Sequence, residues 1–262
     1  MTEKVLTDIN DASIATVTLN APEKHNAFDD ETIAALHDSF GALASNAEVR
    51  AVVLASEGKS FSAGADLNWM KAMAGYDYAR NETDARALAD MLHALYSLPQ
   101  PTIARVQGAA FGGGVGLVSC CDIAIASSAA SFCLSEVKLG LIPATISPYV
   151  IRAMGERAAR RYSMSAERFD ATTALQLGLV SQVVEADALS ATVTALCETL
   201  CANGPQAVRA AKQLVADIAG QPIDETMLAD TSRRIAAIRV SPEGQEGLGA
   251  FLNKRPPAWI GE

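Results

Sequence analysis

Apolar positions along this chain change their period, and each change marks an element. Residues 14–19 (IATVTL) alternate apolar and small polar side chains, the two-residue period of a strand. Pro22 ends that run. Asp29 or Asp30 can cap a helix to about residue 45, in which Ile33, Leu36, Phe40 and Leu43 share one face. A short apolar strand is expected at residues 51–55, a short helix at 66–73 and a break at 75–78. A longer helix at 81–98 is stopped by Pro99 and Pro101. Strands follow at 102–107, 122–126 and 131–134. From residue 147 the pattern is mostly helical, with an extended stretch at 180–184. Helices are expected at 186–202, 205–219, 224–240 and 242–252, with Pro205 and Pro242 in first turns. The pattern predicts a mixed α/β core over residues 1–200 and a helical region over 201–262.

Two segments interrupt this pattern with residues that carry little or no side chain: 61–67 (FSAGADL) and 108–114 (GAAFGGG). Each follows an apolar run and opens a helix; the second helix is apolar as far as Cys121. Such segments let a ligand approach backbone N–H groups closely. Two of them can direct two N–H donors at one carbonyl oxygen, an oxyanion hole. Glu136, set among Leu134, Val137 and Leu139, is the leading side chain to reach the same place. A dinucleotide fingerprint does not fit, because Leu117 stands where the last glycine after Gly112 and Gly114 belongs.

Composition narrows the classes. At 262 residues the chain can bury a sizeable core, as one large domain or one domain with a short tail. Half of it is apolar, yet no run of eighteen apolar residues occurs, so a membrane span is not expected. The start, Met1 to Lys4, lacks a signal- or transit-peptide pattern, and a cytoplasmic location is expected. A net charge of −9 argues against a nucleic-acid surface but permits a polyanionic small molecule held by a few local cations. The five cysteines lack CxxC spacing and read as core thiols; Cys197 and Cys201 share a helix face without a histidine, so no metal is expected.

Five segments in order resemble the crotonase family, also called the enoyl-CoA hydratase/isomerase superfamily: 22–28 (PEKHNAF), 61–67, 108–122 (GAAFGGGVGLVSCCD), 135–143 (SEVKLGLIP) and 178–180 (GLV). Residues 61–70 and 135–149 look most like its 3-methylglutaconyl-CoA hydratase branch. The resemblance implies a spiral of ββα units followed by helices that trimerise, with two trimers often stacked as a hexamer. It implies an acyl-CoA thioester as substrate, with coenzyme A entering as part of that thioester and no separate cofactor. On that reading Ala63 and Gly113 supply the oxyanion donors and Glu136 performs acid and base work. Lys24 meets a phosphate, Ala27 and Phe28 shape the thioester channel, and Ser62, Gly64, Ala65, Asp66 and Leu67 line the coenzyme A side. Phe251 and Lys254 resemble an aromatic and basic pair that reaches the nucleotide across a trimer contact.

One position departs from the family pattern. Hydratases with two glutamates carry the second one two residues after the glycine triplet, where this chain has Gly116. The burden then falls on Glu136, and Gly116 is expected to leave room for a branched or glutaconyl-type acyl group. Two rivals to the hydro-lyase reading stand: a double-bond isomerase, which needs one carboxylate, and a non-catalytic coenzyme A-binding scaffold.

Overall fold

The computed structural model describes residues 3–260. Its larger sheet runs, in spatial order, β1 (Val5–Ile9), β2 (Ile14–Leu19), β3 (Ala51–Ser56), β5 (Thr102–Val106), β7 (Ile123–Ser127) and β10 (Gln182–Val184). The β1–β2 pair is antiparallel and the other pairs are parallel. A second sheet is built of short strands: β4 (Ser60–Ser62), β6 (Ala109–Phe111), β8 (Ser131–Cys133) and β9 (Phe169–Asp170). The chain alternates between the sheets. It passes from β3 to β4 and then to α2 (Leu67–Met73) and α3 (Tyr78–Tyr96). It next passes from β5 to β6 and α4 (Gly113–Cys120), and then from β7 to β8 and α5 (Ser147–Ser165). Three successive strand–strand–helix turns make the ββα spiral of a crotonase fold.

The long strands are covered on both faces, as parallel strands need to be. All six residues of β3 are buried: Val52 and Leu54 join the main core, while Val53 and Ala55 join a second cluster on the other face. That second face is closed by Leu189, Val193 and Cys197 of α7 (Leu189–Cys201). The main core holds Phe40 from α1 (Asp30–Ala44), Met91, Leu92 and Leu95 from α3, and Phe28, Phe61 and Phe132. Beyond α7 come α8 (Pro205–Ile218), α9 (Glu225–Val240) and α10 (Pro242–Leu252), and cations on backbone carbonyls tie the end of α7 and α8 to the spiral. Arg209 donates to the Ala47 and Val49 carbonyls, and Arg50 donates to those of Cys201 and Asn203. Lys212 reaches the Gln100 carbonyl at 2.9 Å and the Asp122 carboxylate at 2.7 Å. Among the described residues no helix is long and apolar enough to cross a membrane.

The expected elements occur, with shifted ends. The helix expected at 81–98 starts at Tyr78, because Asp77 caps it by accepting from the Arg80 N–H. Strands β1, β4, β6 and β9, and helix α6 (Ala171–Gln176), are absent from the sequence reading. Strand β1 is an edge strand with only Val5 buried, so it has no apolar alternation. The short strands have at most three residues, too few to show a period.

Candidate active site

Strands β4, β6 and β8 are parallel neighbours, so their carboxyl ends lie side by side on one edge of the small sheet. The two small-residue segments and Glu136 leave from those three ends. Consecutive turns of the spiral thereby bring together residues more than seventy positions apart in sequence.

The first loop is held by the segment at 25–28. Phe28 and Ala65 form a parallel bridge: the Phe28 N–H donates to Gly64 O, and the Asp66 N–H donates to Phe28 O, both at 2.7 Å. In such a bridge the intervening residue points its own N–H away from the partner. Among the described residues the Ala65 N–H has no acceptor. The Ala63 N–H, by contrast, donates to the His25 carbonyl at 2.9 Å. This corrects the expectation for Ala63: its donor is spent inside the protein, and the open donor lies two residues on, at Ala65.

The second loop turns at Gly112, whose φ of 51° and ψ of −118° suit glycine alone. Gly112 is the N-cap of α4, and no acceptor meets the Gly113 N–H among the described residues. The two loops touch. A Cβ on Gly64 would sit 3.2 Å from Phe111 O, and one on Gly112 would sit 3.9 Å from the Gly64 Cα. That same Gly112 position lies 3.1 Å from Glu136 Oε1. Glu136 opens a short 3-10 turn (Glu136–Leu139) just after β8. Its Oε2 is buried with no hydrogen-bond partner among the described residues, and burial pushes its carboxyl above the usual glutamate value. The two loops that carry the open N–H donors thus meet beside the Glu136 carboxylate.

Other expected site residues take different parts. Ser62 is fully buried, and its hydroxyl donates to Asn26 O at 2.9 Å, so it holds the loop and cannot line a ligand surface. Phe28 is 2% exposed, and its ring backs Gly113, where a Cβ would meet it at 2.5 Å. It supports the donor loops from beneath and lines no open channel. Asp66 caps α2 by accepting from the Asn68 and Trp69 N–H groups, and it pairs with Lys24 at 3.1 Å. Burial alone would raise the Asp66 carboxyl, but Lys24 and the two N–H groups outweigh it and hold it below the usual value. Lys24 and the half-buried Ala27 border a cavity of about 340 Å³ that also takes in Lys4 and Asn20. Leu67 is 73% exposed beside the first loop. Phe251 lies in the last turn of α10 and Lys254 just beyond it; α10 packs on α8 and α9, and the single chain does not bring the pair to the three loops.

The expectation of room at Gly116 is overturned. A Cβ there would lie 2.3 Å from Ile146 Cγ2 and 2.9 Å from Ile146 Cβ, with Leu92 Cδ2 at 3.6 Å. The missing side chain has been replaced by an aliphatic one from another segment. No alternation or spacing predicts this, because Ile146 arrives from the loop before α5. Gly116→Ala should therefore overpack the core and destabilise by about 1–3 kcal/mol. Calorimetric melting checks this, and an unchanged Tm would contradict the close packing.

The fold and these three loops define a class: a ββα-spiral protein with two open backbone donors beside a half-buried glutamate. Comparison with known proteins agrees. Residues 9–262 match the profile of the family described as Enoyl-CoA hydratase/isomerase. The short-chain-enoyl-CoA hydratase of Clostridium acetobutylicum is 33% identical over 252 residues, 94% of this chain and 93% of that one. An enoyl-CoA hydratase structure from Shewanella pealeana superposes with a TM-score of 0.94 at 48% identity, covering 98% of this chain and 96% of that one. Another from Mycobacterium smegmatis has a TM-score of 0.93 at 36% identity, covering 98% and 99%. The chain belongs to the enoyl-CoA hydratase/isomerase family.

Proposed function

We propose that this protein adds water to, or removes it from, the α,β double bond of an enoyl-CoA thioester, with a branched, 3-methylglutaconyl-type acyl group as its substrate. The observation that carries the chemistry is the Glu136 carboxylate at the Gly112 turn beside two open backbone donors: its Oε1 faces Gly112, and its buried Oε2 has no partner among the described residues. The thioester oxygen would accept from the Ala65 and Gly113 N–H groups. Glu136 would take a proton from water as the water oxygen bonds to the β-carbon, and the electron pair of the double bond would move onto the thioester as an enolate. The protonated carboxyl, favoured by burial, would then return that proton to the α-carbon. The start of α4 would add its positive end at the enolate oxygen. Support for the branched acyl group is the resemblance of residues 61–70 and 135–149, since room at Gly116 no longer argues for it.

A second reading, the double-bond isomerase, is favoured by the aliphatic filling at Gly116, which leaves one carboxylate at the site. One experiment separates them. Turnover is followed over straight-chain, branched and dicarboxylic enoyl-CoA thioesters in ¹⁸O-labelled water. Label at the β-carbon, with the highest kcat/KM on the 3-methylglutaconyl thioester, is the expected result. A shifted double bond without label would establish the isomerase. No turnover on any member would leave only the coenzyme A-binding scaffold.

For the coenzyme A end, Lys24 would exchange its Asp66 partner for a phosphate. Lys24→Ala should raise KM by about tenfold, the ~1.4 kcal/mol of one charged contact, with kcat unchanged. Self-assembly as a trimer or hexamer is supported by the apolar side chains that α9 and α10 expose, among them Leu228, Ile235, Val240, Leu248 and Phe251. Sedimentation measures it directly.

A further inference from the structure

Trp69 Nε1, in α2, and Asp84 Oδ2, in α3, are buried with no hydrogen-bond partner among the described residues. The two groups face each other. Burial raises the Asp84 carboxyl above the usual aspartate value and Asp30 adds to the rise, while the Trp69 indole N–H and Arg80 oppose it. An indole N–H can only donate, and a carboxylate can only accept. Each costs free energy when left unmet away from water, and a bond between them removes both costs.

Trp69 is also tied to the first donor loop. Its backbone N–H donates to Asp66 Oδ1 at 3.2 Å, and Asp66 is the N-cap of α2. The Asp66 N–H closes the bridge to Phe28 O that leaves the Ala65 N–H open. No residue of α2 is buried, whereas α3 is rooted in the core through Met91, Leu92 and Leu95. Helix α2 therefore rides on its Asp66 cap and on Trp69, which packs against the main core, and α3 is the fixed body beside it.

We propose that Trp69 and Asp84 are positioning residues that form a latch: the indole N–H donates to the Asp84 carboxylate, draws α2 onto α3, and so fixes the loop that presents the Ala65 N–H. This rests on the reading of the Ala65 N–H as a donor to the thioester oxygen. Neither side chain takes part in the chemistry. The ionised carboxylate makes the bond charge-assisted, and α2 has few other contacts to hold it in register.

Indole N–H signals of the ¹⁵N-tryptophan-labelled protein report the latch directly, since the chain has two tryptophans and Trp69→Phe identifies one signal. In wild type the Trp69 indole proton should lie downfield of its position in Asp84→Ala and exchange with solvent about tenfold more slowly, and saturated butyryl-CoA should widen both differences. Equal shift and exchange in the two proteins overturn the latch. If Asp84→Ala does not fold, Asp84→Leu, which fills the space without an acceptor, decides by the same comparison. On an enoyl-CoA substrate, Trp69→Phe and Asp84→Ala should each lower kcat by about tenfold with KM little changed, and the double variant should be no worse than either alone. A merely structural role would lower Tm and leave kcat of the folded protein alone, so an intact indole difference with unchanged kcat overturns the positioning role. Additive losses overturn the pairing. If wild type turns over no enoyl-CoA, the proposed function fails, and the indole comparison still decides the latch.

Discussion

Glu136→Gln should lower kcat by roughly 10²–10⁴-fold, the contribution of a positioned acid–base group, with KM little changed. The amide keeps the size of the side chain and its place beside Gly112 but cannot take a proton. A fall of less than about tenfold would remove Glu136 from the chemistry. The same variant should also be more stable than wild type at neutral pH. Burial raises the Glu136 carboxyl, so the folded protein holds this proton more tightly than the unfolded chain does. Stability from this group is then fully present below the unfolded value and is lost as pH rises through the folded one. The stability gap between Glu136→Gln and wild type should accordingly open as pH rises above the ordinary glutamate value and close in acid. Chemical denaturation across that range measures it. In wild type, kcat should fall on the acid side at a pH above the ordinary glutamate value, because the base form is needed to accept a proton from water.

Gly113→Ala should cost about 10²–10³-fold in kcat, the loss seen when one preorganised oxyanion donor is misplaced. Alanine suits a helical first turn better than glycine does, so backbone preference predicts no harm. The harm is steric: the new Cβ would meet Phe28 Cε2 at 2.5 Å and Cδ2 at 2.9 Å, and Phe28 is packed in the core. Either the ring or the start of α4 has to move, and Phe28 is bridged through its backbone to the loop that carries the other donor. One methyl group thus disturbs both donors. Phe28→Leu in the same chain removes the ring and should restore part of both Tm and kcat. Recovery of Tm without kcat would show that Phe28 supports the fold and not the donor geometry.

The site was legible where its signal is local. Small residues at 61–67 and 108–114 announce an exposed backbone whatever surrounds them, and a glutamate after an apolar strand announces a group that burial can tune. Helix limits set by Asp29, Pro205 and Pro242 are equally local, since each acts on the turn beside it. The order of the motifs pointed to the ββα spiral and to the family that the comparisons bear out.

What the chain's pattern could not decide was which of those local groups stays free. The Ala63 N–H is consumed by His25, thirty-eight residues earlier, and the Ala65 N–H is left open by the alternation of a bridge to Phe28. Gly116 looks like a vacancy in sequence and is filled by Ile146 in space. Ser62 reads as a ligand contact and faces inward to Asn26. In each case the outcome depends on a partner brought in by a different turn of the spiral. Sequence by itself determined the long helices and strands, the small-residue loops and the glutamate proposed as the acid–base group, because periodicity and side-chain size act within a few residues. Tertiary structure alone decided which donors remain unpaired and which spaces remain empty, because hydrogen-bond satisfaction and close packing are settled between segments far apart in the chain.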